Sequence, residues 1–387
     1  MKILIVTDAL GIDQFGVAQV VLQLADFYEQ AGISYRILAA TLGQIPASRL
    51  PFVQQVPGLP TANLPGISHW HPATRKFIQK HIDDFAPDVV HVHGCITPLT
   101  GIAVSTAASK YVPTLLSAHG MLDPWLWRYR GIGFFILKSL YWKILQRPAL
   151  RKAHFVHAIT RDEARLMRKE FPTAAQVLIP NAIDFHALAN RIYTEPEPYF
   201  LFVGRLHPKK GVEMLLHAFR QASLPGSWRL VVVGPDFDPR YSLKLRQIVS
   251  DANLRKRVSF LGPIFDDRKQ DLMQRAWAVV VPSFGEVVAL VNLEAAMVRT
   301  PTITTLETGV EEWDEHGGLI VKPDVGDLTR ALERSASWEP EERLRRGRQL
   351  QEWVRKFYDW SEIGSQWLRA YRRVIGGTDI PNSGKMP

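Results

Sequence analysis

At 387 residues the chain is longer than a single hydrophobic core usually supports, so two domains are expected. With 46% hydrophobic and 22% charged residues it reads as an ordinary soluble globular protein; no stretch approaches the roughly 18 apolar residues of a spanning helix, and 1–10 is too short an apolar run for a signal peptide. A net charge of +9 calls for anionic partners (nucleotides, nucleic acid or a membrane surface), and with Cys95 the only cysteine no intramolecular disulfide can form, which fits a reducing compartment.

In chain order, 2–7 reads as a strand and 8–16 as a loop. The apolar positions Val17, Val20, Val21, Leu24 and Phe27 follow a helical period. A strand over 33–40, a Pro/Gly-rich loop over 43–66 and a helix over 72–85 come next. Strands over 88–92, 114–117 and 155–159 alternate with helices, which argues a parallel sheet covered on both faces. A polar, proline-bearing linker spans 190–198, and at Tyr199 the pattern restarts. Strands over 199–203, 229–233 and 258–261 then alternate with helices beginning near Lys209 and Tyr241. Helical text resumes after Val325, a Trp-bearing helix covers 361–374, and 376–387 reads as a frayed tail.

The most informative stretch is 279–301, VVPSFGEVVALVNLEAAMVRTP preceded by Val279. Its β-branched run, 279–281, suits a buried strand, and Glu286 opens a helix-like segment that runs through Met297. On one helix, Glu286 and Glu294 would lie about 80° and about 12 Å apart. That is too wide for a glycosidase pair, which needs roughly 5 to 9.5 Å. It suits two grips on one elongated, hydroxyl-rich ligand, with an anion at the helix N-terminus between them. Taken alone, the same text is also a surface helix with two solvated glutamates. At the restart of the second half, YFLFVGRLHPKKG ends a strand at Gly204 and places Arg205 and Lys210 where open α/β sheets bind ligands, as suits a diphosphate. Two surface cations beside a turn would give the same text.

Other motifs carry less. Asp236-Phe237-Asp238 is a D-x-D, but loops after strands collect Asp for turns. His91 and His93 share one side of a strand, a conceivable zinc pair with His119 or Asp123, although satisfied histidines at the edge of a cleft account for them equally. His69-Trp70-His71 sits in a loop. G-x-S-x-G, G-x-G-x-x-G and the Walker loop are absent from the text.

VGRLHPKKG, the E-x7-E pair, LIPNAID, PDVVHVHG and FGVAQVV together resemble glycosyltransferase family 4, and SAHGMLDPWLW is similar to its exopolysaccharide and lipopolysaccharide assembly members. The resemblance runs to about Arg373. It implies an α/β GT-B fold, with two Rossmann-like domains facing a central cleft. The acceptor-side domain would be 1–190, the nucleotide-sugar domain 191–360, and the helix over 361–375 would pack back on the first. It implies a retaining, metal-independent hexosyltransferase without cofactor, moving sugar from a UDP- or GDP-linked donor to a saccharide or lipid-linked acceptor, in the cytoplasm or at the cytoplasmic face of a membrane. By position, Arg205 and Lys210 match residues holding the departing diphosphate, Glu294 the ribose glutamate, and Glu286 the one near the donor sugar. Gly204 ends the strand that carries these cations. Gly16 falls in the phosphate-approaching loop, and His119 matches the histidine facing the reacting sugar. Backbone amides at Val288, Ala289 and Leu290 match those that grip the sugar. Phe15, Ala182 and the Val288-Ala289 step replace family glycines or Phe-Gly, and an added Cβ at Ala289 is expected to crowd the sugar or shift specificity. These departures leave a non-catalytic nucleotide-sugar binder as one alternative; a nucleotide-sugar epimerase of related fold is another.

The stretch 124–154 carries Arg128, Arg130, Lys138, Lys143, Arg147, Arg151 and Lys152 with no acid, among Trp125, Trp127, Tyr129, Phe134, Phe135, Tyr141 and Trp142. An anionic membrane surface, a core with solvated cations, or stacked single-stranded nucleic acid would each use this composition. The resemblance favours the membrane, since acceptors in polysaccharide assembly are often lipid-linked.

Overall fold

A computed structural model describes residues 1–12, 16–57, 72–123, 131–185, 194–264, 267–310 and 312–376. Phe15, His69, Trp70, His71, Trp125, Trp127, Arg128, Tyr129, Arg130, the first part of the linker and the tail from 377 lie outside them. The chain divides into two compact units between Pro180 and Asn181, ahead of the linker read from sequence. Unit 1 is Met1–Pro180 together with 363–376, and unit 2 is Asn181–Glu362.

Unit 1 holds β1 (Lys2–Leu10), β2 (Ser34–Leu42), β3 (Val53–Gln55), β4 (Val89–His93), β5 (Thr114–Ser117), β6 (Phe155–Ala158) and β7 (Ala175–Leu178). They form one parallel sheet in the order β3-β2-β1-β4-β5-β6-β7. β1 runs on through Asp8 to Leu10, so Asp8 belongs to the strand rather than to a loop: residues 9 and 10 still pair with Thr41 and Leu42.

Unit 2 holds β8 (Glu197–Val203), β9 (Arg229–Val233), β10 (Val258–Gly262), β11 (Ala276–Val281), β12 (Thr302–Thr305) and β13 (Leu319–Val321), again all parallel, in the order β10-β9-β8-β11-β12-β13. The period-two geometry of strands shows in its two cores. Phe200, Phe202, Leu230, Val232, Ala278 and Val280 pack in one cluster, while Tyr199, Leu201, Val233, Val279 and Val281 pack in the other. Both faces are therefore dry, which explains why these strands read as unbroken apolar runs. In each sheet the chain reverses direction of growth at one place, β1/β4 in unit 1 and β8/β11 in unit 2. Open α/β sheets bind ligands at such a switch point, beyond the carboxyl ends of the strands.

The last helix, Trp360–Gly376, re-enters unit 1. Gly364 leaves no room for a Cβ against the Phe27 ring, and Tyr371 bonds to the buried Tyr28 hydroxyl.

The helix expected to begin at Glu286 begins at Leu290 and ends at Met297. The preceding residues are held out of the helix instead, because Glu286 N–H donates to the Glu307 carbonyl at 2.7 Å and Ala289 N–H to the Thr308 carbonyl at 3.0 Å. Gly309 makes this approach possible: at φ 72° it occupies the left-handed region, and a Cβ there would overlap the Val287 carbonyl. Glu286 and Glu294 thus do not share a helix, and the spacing computed from one does not apply.

Candidate active site

In unit 2 the expected cations meet at the β8/β11 switch point. Gly204 N–H closes β8 onto the Val233 carbonyl at 2.9 Å, and Gly234 passes so close to the Gly204 carbonyl that no Cβ fits. The chain then makes one tight turn, Pro208–Lys210, capped by the His207 ring accepting from Lys209 N–H at 3.1 Å. Gly211, left-handed at φ 69°, lies against the Pro282 carbonyl and starts the helix Val212–Gln221. Phe284 N–H donates to the Lys209 carbonyl at 2.8 Å, which ties the loop after β11 to the loop after β8.

This tie brings Lys210 Nζ onto Glu286 Oε1, with both side chains about one-fifth exposed. Arg205 lies beside them. Its guanidinium stacks on Phe237 at 4.7 Å and makes no hydrogen bond to any described residue. Burial works against its charge and the Glu286 carboxylate works in its favour. A half-buried guanidinium with its forked donors uncommitted is suited to a bidentate anion.

Glu294 sits on the helix Leu290–Met297 and pairs with Lys269 at 2.8 Å. An ionised carboxylate has about four acceptor positions, so this one bond leaves room for a diol. The Ala289 amide is taken by Thr308, and its methyl packs with Val281, Ala295 and Val298. The expected crowding of a ligand by that Cβ is therefore corrected: the methyl fills core. Of that step, Val288 and Leu290 keep amides with no backbone acceptor among the described residues.

Asp238 caps the helix Pro239–Asp251 by accepting from Arg240 N–H at 3.0 Å and Tyr241 N–H at 3.2 Å, and Asp236 faces Arg246 at 3.5 Å. The D-x-D is thus turn chemistry. The pairing of Lys269 with Glu294 and of Phe237 with Arg205 is not legible in the sequence, because the partners are 25 and 32 residues apart.

In unit 1, His119 follows β5 in the left-handed region, φ 53°, and Gly120 follows it at φ 70°. Glu163 clasps this turn, accepting from Gly120 N–H at 2.7 Å and Ile159 N–H at 2.8 Å. His91 uses both ring nitrogens, on Tyr371 and Ser117, each at 2.8 Å, so it is not available as a zinc ligand. Burial and the neighbouring His157 push His119 down to about 3, so its imidazole is neutral at pH 7. At the β1/β4 switch point Asp8 bonds to Thr97, and burial raises its carboxyl to about 6. Gly16, at φ 66°, precedes the helix Val17–Gln30, and a Cβ there would meet open space.

The stretch 131–154 divides its residues between inside and outside. Tyr141 and Trp142 are core, so these two aromatics do not form an outward face. Arg147 pairs with Glu170 at 2.9 Å. The helix Ile132–Tyr141 and the π turn Trp142–Gln146 expose a mainly aliphatic set, Ile132 (81%), Ile136, Leu137, Leu140, Ile144 (65%) and Leu145, with Lys143 among them. Among the described residues no helix is long and apolar enough to cross a membrane.

Comparison with known proteins bears on both units. The family model described as Glycosyltransferase Family 4 matches residues 16–186, and the one described as Glycosyl transferases group 1 matches 189–353. The phosphatidyl-myo-inositol mannosyltransferase of Mycolicibacterium smegmatis is 27% identical, over 95% of this chain and 93% of that protein. The D-inositol 3-phosphate glycosyltransferase of Pseudarthrobacter chlorophenolicus is 25% identical, over 80% of this chain and 79% of that one. Anabaena HepE, solved in complex with UDP and glucose, superposes with a TM-score of 0.75 at 18% identity, over 96% of this chain and 99% of that chain.

Proposed function

The chain belongs to the family 4 glycosyltransferases of the GT-B fold, and from that premise we propose that unit 2 holds a UDP- or GDP-linked sugar which is transferred, with retention, to a saccharide or lipid-linked acceptor. The observation that carries the donor reading is Arg205 beside Lys210 at the β8/β11 switch point. As the glycosidic bond breaks, negative charge grows on the leaving diphosphate, and two fixed cations aimed at it lower the barrier without reorganising. Glu286 holds Lys210 in place until the diphosphate arrives. Glu294 accepts from the ribose hydroxyls through positions that Lys269 does not occupy. The proton of the acceptor hydroxyl goes to the departing phosphate.

A thermal-shift screen against UDP, GDP, ADP and their sugars tests this. A ligand at 100 times its dissociation constant adds about 2.7 kcal/mol. One base should stand out, and Glu294→Gln should lose about 1.5 to 3 kcal/mol of that binding, the size of a charge-assisted hydrogen bond. Transfer should continue in chelator. No shift with any nucleotide, or strict dependence on a divalent ion, would overturn the reading.

We propose further that the exposed face of 132–144 rests on an anionic membrane, which suits a lipid-linked acceptor. Ile132, Ile136, Leu140 and Ile144 recur every four residues, and Lys143, Arg151 and Lys152 are exposed nearby in sequence. Each cation near such a surface adds about 1 kcal/mol. Co-sedimentation with anionic vesicles should be strong at 0.1 M salt and weaker at 1 M, where the Debye length falls from about 10 Å to about 3 Å. Ile136→Ser with Leu140→Ser should release the protein at least tenfold. A wild type that ignores such vesicles at low salt removes the membrane from the proposal.

A further inference from the structure

His91 and His93 on β4, His157 on β6, and His119 after β5 meet at the carboxyl end of the unit 1 sheet, with ring centroids of successive neighbours 4.0 to 6.5 Å apart. One fixed acceptor sets the direction of most of their hydrogen bonds. The Ile179 carbonyl can only accept, so His157 donates to it through Nε2, at 2.8 Å. A neutral imidazole has one N–H; His157 Nδ1 is therefore bare and accepts from the Ser117 hydroxyl at 2.8 Å. Ser117 Oγ in turn accepts from His91 Nε2–H at 2.8 Å, which leaves His91 Nδ1 to accept from the Tyr371 hydroxyl at 2.8 Å. Tyr28 donates to Tyr371 and ends the chain. Neither His91 nor His157 has a nitrogen left over.

The remaining pair shares a single proton: His93 Nδ1 and His119 Nε2 are 2.9 Å apart. The other nitrogen of His93, Nε2, is buried and has no hydrogen-bond partner among the described residues. A proton there would bury an unbonded N–H, and orphaned N–H donors are rarer in folded proteins than under-used acceptors. His93 therefore carries its proton on Nδ1 and gives it to His119 Nε2. His119 must then keep its own proton on Nδ1, the nitrogen that no described residue engages.

We propose that His93 is a positioning residue which holds His119 as a hydrogen-bond donor through Nδ1, so that His119 meets an oxygen acceptor on the sugar substrate and does not serve as a base. This rests on the reading that His119 faces the reacting sugar. His93 acts only through His119, by choosing its tautomer and fixing its ring.

Long-range proton–nitrogen correlation spectra of the full chain, labelled with nitrogen-15 at histidine, test the assignment. His119 should show a protonated Nδ1 and a bare Nε2, and His93→Leu should turn this into a mixture of tautomers. In steady-state transfer with UDP-glucose or GDP-mannose, whichever supports turnover, His93→Leu should lower kcat at least tenfold with donor KM changed less than threefold. His93→Asn keeps an N–H donor where Nδ1 stands and should restore kcat to within threefold of wild type. A bare Nδ1 at His119 in the wild type overturns the proposal. So does a His93→Asn variant that folds but is as slow as His93→Leu; should His93→Leu not fold, the wild-type spectrum and His93→Asn still decide. His119→Ala with unchanged kcat would instead overturn the reading that His119 meets the sugar, and the wild-type tautomer spectrum is blind to that failure.

Discussion

Acidification from pH 7 to pH 5 is expected to remove about 4 to 6 kcal/mol from the stability of unit 1, a large share of the roughly 5 to 15 kcal/mol that holds a domain folded. The cause is the buried histidine cluster. Burial lowers His157 to about 4 and His119 to about 3, and it holds His91 and His93 well below the ordinary imidazole value of 6.5. The unfolded chain therefore takes up protons first. Stability from these groups is complete above about pH 6.5 and is lost as pH falls through that value toward the folded ones. Each contributes about 1.4 kcal/mol per pH unit in this window. Asp8 acts the other way. Its folded value of about 6 lies above the ordinary 3.8, so the folded chain holds that proton first between the two. It offsets roughly one histidine. Urea midpoints at pH 7.5, 6.5, 5.5 and 5.0 measure the slope. A stability that stays flat down to pH 5 would mean that the cluster is charged or hydrated in the folded state, and the hydrogen-bond directions assigned to it would fail with it.

The sequence revealed most where structure is made by neighbours in the chain. The 279–281 run, the strand before Gly204 and the helix 72–85 are all decided within a few residues, and the structure has strands over Ala276–Val281 and Glu197–Val203 and a helix over Pro72–Phe85. Arg205 and Lys210 were legible for the same reason, since a cation directly after a buried strand stands at the sheet's carboxyl edge whatever the rest of the chain does. Short strands gave no usable period. Val53–Gln55 and Leu319–Val321 have three residues each and exist only because a longer strand lies beside them. The error at Glu286 was of another kind. Glu, Val, Ala and Leu are acceptable helix residues, but carbonyls of Glu307 and Thr308, brought in by β12, took the amides that a helix would have used. Lys269 beside Glu294, Phe237 under Arg205 and His93 against His119 were invisible as pairs, because only the fold brings them together. Composition alone likewise could not say which residues of 131–154 face outward. The two buried aromatics serve the core, and an aliphatic ridge with Lys143, Arg151 and Lys152 faces outward.

Arg205→Ala is expected to lower kcat by about 10² to 10³, the range found when one preorganised stabiliser of developing charge is removed, while nucleoside diphosphate affinity falls by less. The difference follows from when the guanidinium is needed. On the proposed reading the bound donor presents a diphosphate paired with Lys210, whereas the leaving group gains a further charge only as the glycosidic bond breaks. Interactions that strengthen at that moment raise kcat; those equal in both states change KM alone. The fold should tolerate the change, because burial opposes the Arg205 charge and its one described ring contact is with Phe237, worth about 0.5 to 2 kcal/mol. Arg205→Lys keeps a charge but loses the fork and the stacking, so its kcat should lie between those of Arg205→Ala and wild type. Phe237→Leu keeps the fork and loses only its support, so it should cost less than Arg205→Lys. Saturating-donor kinetics, paired with calorimetric titration of UDP and GDP, separate the two quantities. If Arg205→Ala turns over as fast as wild type at saturating donor, the guanidinium contributes binding only. Stabilisation of the leaving diphosphate would then fall to Lys210, which the β8 loop brings onto Glu286.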